Sequence, residues 1–186
     1  MPLPIEDYAL IGDGHTAAMV GRDGSIDWLC LPRFDSGACF AALLGSPEHG
    51  RWMIAPRDAV RAVRRRYRDG TLILETDFET DTGAVRVIDC MPLSNERWDV
   101  LRIVEGLSGR VPMRTELVIR FDYGSIVPWV RQRDGTLVAT AVPDTRELHT
   151  PVHTHGEQMT SRATMLWSSP SSFSKTSGSV STSAMW

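Results

Sequence analysis

Lysine is almost missing from this chain: of its twenty basic residues, nineteen are arginine and one, Lys175, is lysine. Such a skew reads as the signature of a GC-rich gene and not as a binding surface. Cysteine is nearly as scarce. Cys30, Cys39 and Cys90 are too few and too scattered for a disulfide framework, and no C-x-x-C pair suggests zinc. Each sits among apolar neighbours and reads as a small buried thiol. No metal and no cofactor is expected. No apolar run approaches the roughly 18–20 residues that cross a bilayer, so no membrane partner is expected. The N-terminus lacks a basic segment followed by an apolar one, which leaves the cytoplasm as the expected location. A net charge of -3 offers no basic face for nucleic acid, and none is expected as a partner.

What is present is strand texture. The chain has 186 residues, 42% of them apolar, enough for one substantial core. Residues 16–20 and 25–30 flank Gly21-Arg-Asp-Gly24, a turn with glycine at both ends, which predicts a hairpin. The run 39–44, stopped by Gly45, predicts a short helix. From residue 60 a period of two takes over, with strands expected at 60–67, 71–79 and 84–91 and turns at 68–70 and 81–83. Further strands are expected at 100–107, 111–123, 126–133, 136–142 and 160–166, with Asp134-Gly135 as a hairpin turn. Some ten to twelve short strands and almost no helical periodicity predict an all-β fold, an antiparallel β-sandwich with one short helix. From Ser168 onward the chain turns serine-rich and aperiodic, and it carries the lone lysine. The domain is therefore expected over 1–166. Residues 167–186 are expected to be a disordered linker or an out-of-frame tail.

Several clusters invite a functional reading that their spacing does not support. Gly12-Asp-Gly14 and Gly21–Gly24 lack the P-loop spacing and precede strands, so their glycines serve turns. His149, His153, His155 and Glu157 lie in a segment broken by Pro151 and Gly156 and read as a solvated loop. Arg61, Arg64, Arg65, Arg66 and Arg68 alternate along a strand opposite Glu75, Asp77 and Glu79, which predicts cross-strand ion pairs on a wet face. Trp28, Trp52, Trp98 and Trp129 divide between core and contact surface.

One constellation retains chemical interest. Asp27 and Trp28 in a strand, with Arg33, Phe34 and Asp35 in the loop after it, combine acids with aromatic faces, the kit of a sugar site. The competing reading makes Asp35 the N-cap of the following helix and pairs Arg33 with a nearby acid.

The segment running from Pro4-Ile-Glu-Asp-Tyr through Gly12-Asp-Gly-His-Thr and Gly21-Arg-Asp-Gly-Ser-Ile-Asp-Trp-Leu-Cys-Leu-Pro-Arg-Phe-Asp-Ser36 closely resembles the opening of bacterial glycoside hydrolase family 15 proteins. These are the trehalase-like and glucoamylase-like group. The likeness continues through Cys39-Phe-Ala-Ala-Leu-Leu-Gly45 and, more loosely, to about Ala163. It implies an N-terminal β-sandwich followed by an (α/α)6 barrel. In that barrel two glutamates hydrolyse an α-glucosidic bond with inversion, a division of labour that needs carboxyls about 6.5–9.5 Å apart. No position of this chain matches those glutamates, so no catalytic residue is expected here and the chain alone is expected to be inactive. The resemblance implies a catalytic barrel as partner and an α-glucoside, trehalose or a maltooligosaccharide, as ligand. It further implies that Asp27, Trp28, Arg33, Phe34 and Asp35 face the cleft or the barrel. The alternatives are a stand-alone carbohydrate-binding or oligomerising module, or a truncated gene product without function.

Overall fold

The computed structural model describes residues 2–93, 98–133, 136–141, 144–149, 155–157, 160–168 and 178–184. Fifteen strands run through them, all antiparallel, and the sandwich expected from the alternation is the fold that forms. In chain order they are β1 (Tyr8–Gly12), β2 (Ala17–Gly21), β3 (Ser25–Cys30), β4 (Ala38–Phe40), β5 (Arg51–Pro56), β6 (Val60–Tyr67), β7 (Leu74–Thr80) and β8 (Gly83–Cys90). Then come β9 (Trp98–Val118), β10 (Trp129–Arg133), β11 (Thr136–Ala141), β12 (Asp144–His149), β13 (His155–Glu157), β14 (Thr160–Ser168) and β15 (Gly178–Ala184).

The two strands expected at 100–107 and 111–123 are one, β9, and that strand builds both layers. Its first half, to Gly109, pairs with β8 and β15; its second half pairs with β5 and β14. One layer is β6-β7-β8-β9-β15-β12-β11-β10. The other is β1-β2-β3-β5-β9-β14-β13, with β4 added beside the end of β3. The corner falls at Gly109, whose φ of 63° is left-handed, opposite Gly83 across the ladder. A Cβ at Gly109 would stand 2.2 Å from the Thr82 carbonyl oxygen, so the two backbones close to this distance only because both residues lack side chains.

Inside the fold the inward faces of the two layers meet. Trp52 and Ile54 of β5, Phe78 of β7 and Val85 and Val87 of β8 are all but inaccessible. Truncating a fully buried aromatic of this kind costs about 3–5 kcal/mol. Arg102 of β9 lies among them with no exposure at all. Its guanidinium donates Nε to Asp89 Oδ1 (2.7 Å) and Nη2 to Asp89 Oδ2 (3.3 Å). Nη1 reaches across to the Trp52 carbonyl (2.5 Å) and Nη2 also to that of Gly24 (2.8 Å). The indole of Trp52 lies 5.2 Å below the guanidinium carbon. One arginine thus ties a strand of one layer to two points of the other.

The helix expected over 39–44 does not form. Residues Ala38–Phe40 are strand β4 and only Ala42–Leu44 turns, as a 3-10 turn, because Cys39 and Phe40 bury their side chains in the sandwich while β4 pairs with β3. Short apolar runs carry no periodicity that separates the two outcomes. The remaining helical turns, Ile5–Asp7, Pro47–His49 and Asp122–Gly124, are likewise 3-10. Within the serine-rich tail, Gly178–Ala184 runs as β15 between β9 and β12. The Asp134-Gly135 turn lies outside the described residues.

Cross-strand ion pairing along β6 and β7 follows the expected register, Arg66 opposite Glu75 and Arg64 opposite Asp77. Arg64 bonds Glu79 (2.7 Å), Arg66 and Arg68 both hold Glu75, and Arg61 holds Asp81. Arg65 departs from the pattern and donates to the Val20 carbonyl (3.1 Å) of the other layer. From β8, Arg86 clamps Asp77 with two bonds of 2.6 and 2.9 Å. The Arg86 bond holds the Asp77 carboxyl below its ordinary 3.8, and the Arg68 bond holds Glu75 below 4.5. A carboxyl depressed in the folded state stabilises fully above its ordinary value, and that contribution is lost as pH falls through the depressed one. Urea midpoints measured from neutral pH downward are expected to fall below pH 4.5, and less steeply in Arg86→Gln. Parallel curves for the two proteins would show the clamp to be indifferent to folding.

Candidate functional site

The residues singled out from the sequence separate into two places. Asp27 is the extra residue of a β-bulge: Val20 opposes Ile26 while Met19 opposes Trp28. The bulge interrupts the in-and-out alternation of β3 at Asp27. The Asp27 carboxylate is nevertheless spent, because it accepts Tyr8 Oη (2.7 Å) and Ser25 Oγ (2.5 Å) in a buried position. Burial first, then the bond to Asp27, pushes the Tyr8 phenol well above its ordinary value. Asp27 therefore pins β1 to β3, and it does not open toward a ligand.

Trp28 looks the other way. It packs over a small cluster of Cys30, Ala38 and Ala41, and its ring lies 5.9 Å from that of Tyr123 at 40°. Burial pushes the Cys30 thiol up to about 11, as befits an inert core cysteine. Arg33, Phe34 and Asp35 occupy the loop that follows β3. Arg33 donates Nε and Nη2 to the two oxygens of Asp35 (2.9 and 3.2 Å), which lowers the Asp35 carboxyl. Arg33 thus pairs with a nearby acid as one reading expected. Asp35 caps no helix, since the next element is the strand β4. Between them Phe34 stands 72% exposed.

Two neighbours join this loop, neither of them assigned to the site from the sequence. The Gly12–Thr16 turn is closed by Asp13 Oδ1, which accepts the N–H of His15 (2.8 Å) and Thr16 (2.9 Å). Thr16 Oγ1 donates to the Cys30 carbonyl, and the His15 carbonyl accepts the Phe34 N–H (3.3 Å), so the two loops are stapled together. The second neighbour is the Asp122–Gly124 turn, whose Asp122 Cα lies 3.9 Å from where a Cβ on Gly37 would sit. Asp122 and Tyr123 have φ of 48° and 57°, consecutive left-handed residues without glycine's freedom. Such strain costs about 1–3 kcal/mol per residue and persists where the surroundings enforce it. Here the Phe121–Ile126 hydrogen bonds (2.9 and 3.1 Å) and the Ser125 hydroxyl on Asp122 enforce it. The His49 ring fills the space beside Gly124. The strand expected over 111–123 takes in Asp122 and Tyr123, so the break expected after it falls two residues beyond where the turn begins.

Of the four tryptophans singled out from the sequence, Trp52 is core, Trp98 packs partly on the core, Trp28 is half-buried and Trp129 is 75% exposed. The histidine segment is not all loop, since His149 ends β12 and His155–Glu157 form β13. The side chains of His149, His155 and Glu157, and His153 entirely, lie outside the described residues.

The fold is an all-β sandwich, and in it Asp27 and Asp35 are each bound by their own neighbours. The chain belongs to the trehalase-like, N-terminal domain family, whose model matches residues 1–169. It is 34% identical to a trehalase of Mycobacterium tuberculosis over 139 residues, which is 64% of this chain and 20% of the relative. To trehalase 2 of Sulfolobus acidocaldarius it is 34% identical over 120 residues, 64% of this chain and 19% of that protein. A trehalase of Thermoplasma volcanium is 31% identical over 134 residues, 69% and 22%. The chain thus spans about a fifth of the length of the curated relatives it matches. No helix among the described residues is long and apolar enough to cross a membrane.

Proposed function

We propose that this chain is the non-catalytic N-terminal domain of a cytoplasmic glycoside hydrolase of family 15, trehalase-like or glucoamylase-like. In this reading it packs on an (α/α)6 barrel and shapes one wall of that barrel's cleft, while the barrel's own carboxyls invert an α-glucosidic bond in trehalose or a maltooligosaccharide. The observation that carries the reading is the family match over residues 1–169 in a chain that matches only about one fifth of its trehalase relatives. The chemistry of the described acids supports it. Asp27, Asp35 and Asp89 each accept hydrogen bonds from their own neighbours, so none is poised as a general acid or base. Purified chain is expected to release no glucose from trehalose or maltose above the buffer background. Turnover well above that background would sink the proposal.

The exposed ring of Trp129 favours a second reading, a carbohydrate-binding module that acts without a barrel, since such a ring can stack on a pyranose face. That reading requires saturable heat on calorimetric titration with trehalose or maltooligosaccharides. A flat titration is the expected result.

A further inference from the structure

Large apolar side chains stand exposed on three neighbouring segments of the sandwich. Phe34, Leu44, Tyr123, Ile126, Val127 and Trp129 come from three segments that the fold draws together: the loop after β3, the short turns before β5, and the turn between β9 and β10 with the first residue of β10. Gly37 meets Asp122, His49 meets Gly124, and Tyr123 leans on Trp28. A cluster of this kind is a contact surface more often than an accident, because water meets it at a cost that a partner removes. The one run of left-handed non-glycine residues among the described residues, Asp122-Tyr123, lies inside the cluster. Strain held by several hydrogen bonds and a histidine wedge fixes Tyr123 in place before any partner arrives, so little freedom remains to be lost on contact.

We propose that this cluster is the docking face for the remainder of a polypeptide of relative-like length, with Tyr123 and Trp129 as its anchors and Phe34 at its rim. The inference rests on the function proposed above and names the surface that executes it. The occupant follows from length: in the relatives about four fifths of the protein lies outside the matched part, and an N-terminal domain has that partner tethered to it. Aromatic anchors at the centre of a well-packed patch carry most of the energy of such a contact. Asp27, buried beside Tyr8 and Ser25, takes no part in it, and the self-paired Arg33–Asp35 fork contributes a rim.

The test replaces the matched fifth of the M. tuberculosis trehalase with this chain and assays trehalose hydrolysis. The hybrid is expected to be active, and the paired change Tyr123→Ser with Trp129→Ser is expected to lower its activity at least tenfold. Leu72→Ser, an apolar residue 48% exposed on the turn between β6 and β7, is the control expected to leave the activity unchanged. Circular dichroism of the 186-residue chain carrying the same changes checks that the domain still folds, as it should when both side chains are exposed. An active hybrid that tolerates the paired change overturns the docking face and leaves the proposed function standing. A hybrid that is inactive although the isolated chain is folded overturns both. Sedimentation of the isolated chain as a dimer, dissolved by the paired change, would assign the face to a second copy and overturn the proposal in that way.

Discussion

Arg102→Ala is expected to cost the domain about 3–5 kcal/mol of folding stability, the range seen when one partner of a buried ion pair is removed. The loss would be read as a drop in the urea midpoint at unchanged slope. The size follows from what is left behind. Asp89, 1% exposed, would keep a charge with its principal partner gone, and the carbonyls of Trp52 and Gly24 would lose their donors in a place water does not reach. Whole domains are stable by only about 5–15 kcal/mol, so a loss of this size removes a large part of the margin. The companion variant separates the cause. Arg102→Met combined with Asp89→Leu removes both charges together and is expected to recover much of the loss, since replacing a buried pair by packed apolar groups is often close to neutral. A single variant within about 1 kcal/mol of the parent would mean that water enters the pocket and satisfies Asp89.

Gly109→Ala is expected to be the second most damaging change described here, at more than about 2 kcal/mol, because strain and collision act together. The φ of 63° is one that alanine adopts at a cost of about 1–2 kcal/mol. Added to that, the new methyl would lie 2.2 Å from the Thr82 carbonyl oxygen and 2.9 Å from the Gly83 Cα, both backbone atoms held in a ladder. Gly70 supplies the comparison. Its φ is 70°, and a Cβ there meets nothing within 4 Å, so Gly70→Ala isolates the conformational cost. Thermal or urea unfolding of the two variants side by side gives the collision term as the difference. If Gly109→Ala loses no more than Gly70→Ala, the corner is looser than its contacts indicate.

Much of this architecture was legible in advance, and the failures have physical reasons. The strands around Gly21–Gly24 and along β6 to β8 follow from alternation punctuated by glycine, and the opposed arginines and acids announce their own register. The helix expected over 39–44 failed because six apolar residues satisfy a buried strand and a helical turn equally well. The break expected between 107 and 111 failed because Gly109 bends β9 without ending it. Arg102 looks like any arginine in an alternating strand; its burial depends on Asp89 and on two carbonyls of the opposite layer, contacts that no local pattern encodes. Arg33, Phe34 and Asp35 do lie on an exposed loop, but Asp27 has been drawn into the fold, and the turn at Tyr123 reads as ordinary strand.

The double membership of β9 also governs how the domain can be inherited. Modular proteins exchange pieces where few contacts cross a boundary, and a sandwich made of two separate sheets would offer such a boundary between its layers. Here any crossover that took one layer from one relative and the second layer from another would have to splice within a single strand, at a glycine corner fitted to a second glycine on β8. The two layers are therefore expected to travel through recombination together, as one heritable block, while variation between relatives accumulates in the turns at the two ends.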